Sequence, residues 1–482
     1  MTKKRHPMVD VRIEQLHYPD RATGHVLAPL AADPVGEMLE IEPNHDHRAP
    51  LAAMQMKGGL PGQVWRARVK RSHGGAKVVE PQELIRRAPI ERDPACPHAS
   101  VCGGCNYQTL AYETELLLKA QQMRALYAEF PALRDVEIRR SPATEHYRNK
   151  MEYTFGDETP GGPLTLGLHQ PRHFYNIIPT PHCRIVPEDF NRLRDAVETY
   201  CHRKGWAAYH RTRKTGFLRH LVLRVALTTG ALMVNLVTTS AHTFTPDERR
   251  EFCERLTALP LDLPLVSIFH TTNDADADAV IPEKLDLWYG RNEMDETLFD
   301  LTFHVGPFSF FQPNVYGAQN LYAKAIALAG DMSGQTVYDL YCGTGTLAQI
   351  IARHAQRVIG VEIVEEAVEK ARQAAFENHL PNVKFIAADV LDELQRLADA
   401  GERPDVVFLD PPRQGVHPKA IAQLIAAAPR KIVYISCNPT TQVQDLTLFR
   451  AGGYAVQAGM AFDQFPRTKH VETVVLLSRE NK

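Results

Sequence analysis

From Val337 onward the chain alternates strand and helix without a break, and this rhythm constrains its fold more than any other feature. Strand VYDLY (337–341) enters a Gly-rich turn, followed by helix 346–354, strand RVIGVE (357–362) and helix 364–379. Strand VKFIAAD (383–389), helix 391–400, strand DVVFLD (405–410), helix 418–427, strand KIVYIS (431–436), helix 441–451 and two closing strands complete the pattern. Such alternation predicts an α/β fold built on a doubly wound, mostly parallel, Rossmann-like sheet. Ligands of such sheets sit at the carboxyl ends of the strands. The residues at those ends are therefore the ones to read for chemistry.

The first strand ends in Asp339-Leu340-Tyr341-Cys342-Gly343-Thr344-Gly345-Thr346. Glycines let the backbone approach a ligand closely, and the helix that follows offers free N–H groups. Glu362 ends the second strand, 19 residues after Gly343, where a carboxylate can hold ribose hydroxyls. Asp389 ends the third, within reach of an adenine edge. Dinucleotide enzymes share turns of this kind, so the discriminating piece is Asp410-Pro411-Pro412-Arg413 after the fourth strand. Two prolines fix an extended backbone and remove two donors, giving a rigid wall that a nicotinamide site does not need. Ser436-Cys437-Asn438-Pro439 follows the fifth strand and sets a thiol beside the same crevice. A lone cysteine is more often a small buried hydrophobe, but this position favours a nucleophile, with Arg413 and Asn438 as candidates to activate it. Glu472, at the start of the last strand, is the candidate base.

Upstream the organisation is different. Residues 1–90 predict a small β-rich module, a barrel with one basic strand. In VWRARVKR (64–71), Arg66, Arg68 and Lys70 share a face opposite Trp65, Ala67 and Val69. A helix is expected from about Tyr112 to Phe130, on the spacing of Leu116, Ala120, Met123 and Tyr127. Residues 91–305 predict an α+β middle domain, with strands in LVLRVAL, ALMVNLVTT and PLVSIFHTT and a helix near 187–203. The alternating domain then spans 306–482. NDADADA (273–279) reads as a solvated acidic loop.

Eight cysteines in 482 residues are too sparse for a disulfide scaffold. Three of them, Cys96, Cys102 and Cys105, are separated by five and two residues, and Gly103-Gly104 allow a tight wrap. With Cys183 in Pro181-His182-Cys183-Arg184 they make a four-thiolate set. Spacing alone leaves an iron–sulfur cluster and zinc equally open. Cys201, Cys253 and Cys342 read as packing residues.

The net charge of −2 excludes a whole-molecule electrostatic grip on nucleic acid, so any such grip is local. The stretch 203–224 supplies one: Arg203, Lys204, Arg211, Arg213, Lys214, Arg219 and Arg224 with no acidic residue, interleaved with Trp206, Tyr209 and Phe217. Cations for phosphates and aromatic faces for splayed bases are what single-stranded RNA demands; a solvated basic face with its aromatics packed inward is the equal alternative.

These motifs, together with Tyr147-Arg148-Asn149-Lys150, Phe310-Phe311-Gln312-Pro313-Asn314 and His470-Val471-Glu472-Thr473, resemble the RNA uracil-5 methyltransferase family, specifically its iron–sulfur members that modify 23S ribosomal RNA. The resemblance runs through nearly the whole chain. It implies a class I S-adenosylmethionine-dependent methyltransferase domain behind a TRAM-like, RNA-binding N-terminal barrel. It implies cofactor contacts from Gln312, Tyr341, Thr346, Glu362, Asp389 and Asp410, with Cys437 as nucleophile and Glu472 as base. It also moves the cysteine set to a [4Fe-4S] cluster on Cys96, Cys102, Cys105 and Cys183, structural rather than redox in role. Phe308, Phe310 and Phe311 are candidates to line the base pocket, with core packing the equal alternative.

The expected partner is RNA, 23S rRNA ahead of tRNA, with no membrane and no second subunit. The basic start MTKKRH is not followed by an apolar region, so a cytoplasmic protein is expected. Two other classes compete. A cluster-containing dinucleotide oxidoreductase gives no reason for DPPR or SCNP, and a non-catalytic RNA-binding protein gives none for keeping both Cys437 and Glu472.

Overall fold

The computed structural model describes residues 7–27, 52–159, 161–276 and 282–480. The chain forms two compact units, one of Met1–Asp93 with Thr109–Leu126, the other of Pro94–Gln108 with Tyr127–Lys482. The first six residues and positions 277–279 of the acidic loop lie outside the described residues.

The smaller unit is built on a closed five-stranded barrel of Met8–His17, Arg21–Val26, Ala53–Lys57, Val64–His73 and Ala76–Arg86. Val11, Ile13, Ala22, Met54, Met56, Ala67 and Val79 fill it. Gly24 is required where two strands cross, because a Cβ there would lie 2.0 Å from the Arg12 carbonyl oxygen. The basic strand has the predicted facing, with Ala67 inside and Arg66, Arg68 and Lys70 outside. Its charge is less available than expected, since Arg66 pairs with Asp10 at 3.1 Å and Lys70 with Glu80 at 2.7 Å. The helix Tyr112–Leu126 buries Ala120 and Met123 of the predicted face, with Leu116 half-buried, and widens that face with polar residues. Glu115 and Lys119 lie on that face as a fully buried pair at 2.8 Å, a satisfied ionic contact that apolar periodicity cannot reveal.

The larger unit holds two sheets. A seven-stranded sheet runs Lys284–Gly290, Leu265–Thr272, Ala231–Thr238, Leu218–Ala226, Lys150–Asp157, Leu164–Gln170, His173–Pro179 in spatial order. Every residue of Leu218–Ala226 and Ala231–Thr238 is buried. One face packs on Phe190, Leu193 and Val197 of the helix Glu188–Arg203. The other contributes Ala226, Met233 and Phe269 to the core of the C-terminal layer. Cover on both faces explains why these strands read as continuous apolar runs rather than as alternation.

The C-terminal sheet has the order Val383–Ala387, Ala355–Glu362, Met332–Leu340, Val406–Leu409, Lys431–Ser436, Glu472–Arg479, Tyr454–Phe462, with Ile138–Arg139 added at the edge. The first five are parallel to one another, and Glu472–Arg479 runs antiparallel to both of its neighbours. The order reverses at Met332–Leu340, which opens a crevice at its carboxyl end. The helix after SCNP starts at Pro439, earlier than the spacing predicts, with Asn438 at its N-cap. Proline suits the first helical position because its missing N–H would have no partner there.

Candidate active site

The Gly-rich turn lines the crevice with backbone rather than side chains. Tyr341 and Gly345 both take positive φ, 66° and 75°, so the turn folds tightly and starts the helix Thr346–Ala352 at Thr346. A Cβ on Gly345 would lie 2.6 Å from the Phe385 ring, so this position has no room for a side chain. Glu362 is held rigidly: one oxygen accepts from Gly343 N–H at 3.1 Å, the other from Ile363 and Val364 N–H at 2.9 and 3.0 Å. Asp389 caps the helix Val390–Ala400, accepting from Leu391 N–H at 2.7 Å. Tyr341 is close enough to feel the Asp389 charge, and burial with that charge pushes its phenol up to about 12.

The reacting groups stand on the neighbouring strand ends. Burial raises the Asp410 carboxyl to about 7. Burial, then repulsion from Asp410, raises Glu472 to about 8, against a pull downward from Arg413. Cys437 is held up at about 11 by burial and by the charges of Glu472 and Asp410, while Arg413 lowers it through its charge and a hydrogen bond to the sulfur. The thiol, two carboxyls and the guanidinium therefore form one electrostatic group. Arg413 acts on the sulfur as expected. Asn438 does not: its side-chain amide donates to the Arg413 carbonyl at 2.8 Å, so it positions the loop carrying the guanidinium.

Gln312 reaches the same group from another direction. Its Nε2 donates to the hydroxyl of Tyr322 at 3.1 Å, and that buried phenol is raised by burial and then by Asp410. Asp339 is fully buried, and burial and Asp410 hold its carboxyl well above the usual range. Neither Tyr322 nor Asp339 stands out in the sequence as a site residue. Tyr322 sits mid-helix with no local signal. Asp339 precedes the Gly-rich turn and reads there as part of the strand.

The segment bearing Gln312 is clamped from the seven-stranded sheet. Asn149 donates through Nδ2 to the Gln312 carbonyl and through its backbone N–H to Pro313, both at 2.9 Å. Arg224, 2% exposed, sets Nη1 2.7 Å from the carbonyl oxygens of Gly306 and Ser309 and 3.2 Å from that of Pro307. Of the phenylalanines, Phe311 is buried against Phe303, Phe308 is half-buried, and Phe310 is 68% exposed.

Behind the site, the Tyr127 hydroxyl donates to Gln442 Oε1 at 2.5 Å. Gln442 Nε2 donates to the Tyr434 carbonyl at 3.0 Å, and the Thr473 hydroxyl donates to Gln442 Oε1 at 2.9 Å. Through these bonds the strand ending before Cys437 and the strand starting at Glu472 keep a fixed register, with Ser436 opposite Thr473.

Elsewhere in the same unit, Cys96, Cys102, Cys105 and Cys183 line one small cavity as free thiols. Among the described residues, no group of three or more His, Cys, Asp or Glu side chains is arranged to hold a metal ion as it stands. Burial raises all four thiols, Cys105 to about 12 and Cys183 to about 11. Yet each sulfur has an N–H aimed at it: from His98 to Cys96, Gly104 to Cys102 at 3.3 Å, Gln108 to Cys105 at 3.5 Å, and Ile185 and Val186 to Cys183. Donors around buried sulfur suit thiolates, the form that binds metal.

Comparison with known proteins agrees with this geometry. The family profile described as tRNA (Uracil-5-)-methyltransferase matches residues 300–480. An uncharacterised RNA methyltransferase of Caldanaerobacter subterraneus is 43% identical over 431 residues, 88% of this chain and 94% of that one. The chain belongs to the RNA uracil-5-methyltransferase family. Another family relative, an uncharacterised RNA methyltransferase of Clostridium tetani, is 41% identical over 88% of this chain and 92% of its own. The crystal structure of Pyrococcus abyssi tRNA (uracil-54, C5)-methyltransferase with S-adenosyl-L-homocysteine superposes with a TM-score of 0.70 at 23% identity, covering 97% of this chain and all of that one. That likeness confirms the α/β methyltransferase fold with its small N-terminal barrel. Nothing in the family supports the oxidoreductase alternative. Among the described residues no helix is long and apolar enough to cross a membrane.

Proposed function

We propose that the enzyme transfers a methyl group from S-adenosylmethionine to carbon 5 of a uridine in RNA, with 23S rRNA as substrate. The observation that carries this reading is the meeting of Cys437, Glu472, Asp410 and Arg413 at adjacent strand ends beside the Gly-rich turn. Carbon 5 of uracil is a poor nucleophile. Addition of the Cys437 thiolate to carbon 6 makes the ring an enolate, so that carbon 5 can attack an electrophilic carbon. Arg413 favours the thiolate, and Glu472 accepts the proton from carbon 5, after which elimination frees the cysteine. The cofactor supplies an electrophilic methyl on a cationic sulfur, whose charge also offsets the two carboxylates. Gln312, Tyr341, Thr346, Glu362, Asp389 and Asp410 would hold it, and the rigid Glu362 carboxylate suits ribose hydroxyls.

In this reading residues 1–90 are a TRAM-like RNA-binding barrel, 91–305 the cluster-bearing central domain and 306–482 the methyltransferase domain. The four cysteines hold a [4Fe-4S] cluster, supported by their shared cavity and by the N–H groups aimed at each sulfur. The enzyme works as a cytoplasmic monomer.

The deciding assay offers labelled cofactor with transcribed 23S rRNA and with tRNA. Wild type should form 5-methyluridine in the ribosomal transcript, and Cys437→Ala should form none while still binding S-adenosylhomocysteine. Methylation of tRNA alone would replace the substrate assignment, and normal turnover by the alanine variant would refute the covalent route.

A further inference from the structure

A second site lies in the larger unit, away from the catalytic group. A cavity of about 940 Å³ opens between the strands Lys150–Asp157, Leu164–Gln170 and His173–Pro179 and the loop 206–216, and none of the catalytic or cofactor residues lines it. The loop is a built wall. His210 ties it through two backbone bonds, its N–H donating to the Thr215 carbonyl and its carbonyl accepting from Lys214 N–H, each at 2.7 Å. Gly216 at φ 115° passes so close to Ala208 that a Cβ would lie 2.1 Å from its carbonyl oxygen.

The lining combines three kinds of group. Arg211, Arg213 and Arg219 supply positive charge. Asp157 is the carboxylate among the lining residues, and it accepts from Gly161 N–H at 2.7 Å. Lys214 is turned to Asp276 at 2.7 Å. Arg219 is fixed over the Tyr209 ring at 4.6 Å, donating to the carbonyls of Asn273 and Ala275. At the floor, Thr154 Oγ1 lies 3.3 Å from His169 Nε2 and 3.4 Å from His220 Nδ1. Burial pushes His220 down to about 4, so its ring is neutral and can both donate and accept. On the rim Tyr175 is 70% exposed, an aromatic side chain lining the cavity with the cations.

Cations for phosphate, an aromatic platform for a base and neutral polar groups for its edge are what an unpaired nucleotide requires. The volume falls at the upper end of the ~300–1,000 Å³ typical of small-ligand sites. We propose that this cavity receives an unpaired nucleotide of the RNA other than the one methylated, Tyr175 stacking on its base and Arg211 and Arg213 holding its flanking phosphates. The proposal rests on RNA being the substrate. It makes the central domain a reader of the RNA strand and not only a spacer.

The test measures methyl transfer and equilibrium RNA binding for wild type, Tyr175→Ala, Tyr175→Trp and Arg211→Gln/Arg213→Gln, with S-adenosylhomocysteine affinity as the check on folding. Tyr175→Ala should raise KM for RNA about tenfold, with kcat within about twofold, and Tyr175→Trp should restore KM. The double arginine variant should flatten the slope of log K against log salt by about 0.7 for each phosphate lost. Unchanged KM and salt slope in folded variants that still methylate RNA would overturn the cavity assignment and leave the enzyme's function standing. Should wild type methylate no RNA, binding of a labelled uridine-free oligoadenylate decides: loss of binding in Tyr175→Ala supports the cavity, and equal binding overturns it.

Discussion

Replacing Glu472 by Gln removes one of two buried carboxyls that repel each other, and the consequence should depend on pH in a calculable way. In the folded protein Glu472 titrates at about 8 against an ordinary 4.5, chiefly because it is buried and then because Asp410 stands near. The folded state therefore holds this proton more tightly than the unfolded chain does. The resulting stabilisation is complete below pH 4.5 and is lost as pH rises through about 8. Over that window it amounts to about 5 kcal/mol, from roughly 1.4 kcal/mol per pH unit. Gln is nearly isosteric with the protonated acid and does not ionise. At pH 5 the variant and wild type should thus unfold within about 1 kcal/mol of each other. At pH 9 the variant should be the more stable by up to about 5 kcal/mol. Urea unfolding of the ligand-free proteins at the two pH values measures the difference. The same variant, incubated with RNA and cofactor, should accumulate a covalent adduct that runs as a shifted band on a denaturing gel, since the carbon 5 proton is no longer removed. Parallel stability curves across the range would refute the buried-carboxylate argument, and adduct levels no higher than wild type's would refute Glu472 as the base.

Further outcomes follow from single contacts. Asn438→Ala loses the bond that steadies Arg413; kcat should fall about two- to tenfold, and alkylation of Cys437, followed by peptide mass mapping, should shift to higher pH. Cys105→Ser should give protein that is purified anaerobically without brown colour, with less iron and acid-labile sulfide than wild type; a zinc-bearing, colourless wild type would overturn the cluster. Asp389→Ala removes an N-cap, so a loss of about 1 kcal/mol in stability should accompany weaker S-adenosylhomocysteine binding by calorimetry. Tyr127→Phe takes the donor from Gln442 Oε1 and should destabilise by about 1 kcal/mol, with little change in KM for RNA.

The alternation after Val337 was enough to place the sheet and its ligand edge, because a parallel sheet gathers at one edge the residues that follow its strands. Glu362, Asp389, Asp410 and Cys437 each terminate a strand or follow one, so their places at the sheet's edge could be read one residue at a time. Tyr322 and Asn149 could not be read that way. Each acts on a partner brought near by packing, Asn149 on a carbonyl 163 residues away, and nothing local marks such a contact. Charge misleads in the same manner. Arg224 counts in the sequence as one more cation of the stretch 203–224, yet the fold buries it against three carbonyls of the turn 306–309. Trp206 and Phe217 follow the inward-packed of the two alternatives the sequence leaves open, against each other and Phe244 with ring centroids 5.0–5.4 Å apart.

What these departures share is a direction: side chains of the seven-stranded sheet are spent on the methyltransferase crevice. Arg224 brings a full charge into the interior, bonded to no carboxylate among the described residues, and burial lowers it to about 10. A guanidinium so placed is tolerated only where its donors are satisfied. The carbonyls that satisfy it belong to the turn leading to Phe310 and Gln312, while Asn149 fixes the carbonyls of Gln312 and Pro313 further along the same segment. The segment cannot shift without stranding a buried charge. Rigidity of this kind is what a reaction between a thiol, a base and a methyl donor needs, since small misplacements of reacting atoms slow it steeply. The same sheet carries the cavity lined by Arg211 and Tyr175, to which Arg224's own strand contributes Arg219 and His220. RNA held there and the nucleotide presented to Cys437 are thus referred to one framework, and the distance between them is set by β-structure rather than by a linker.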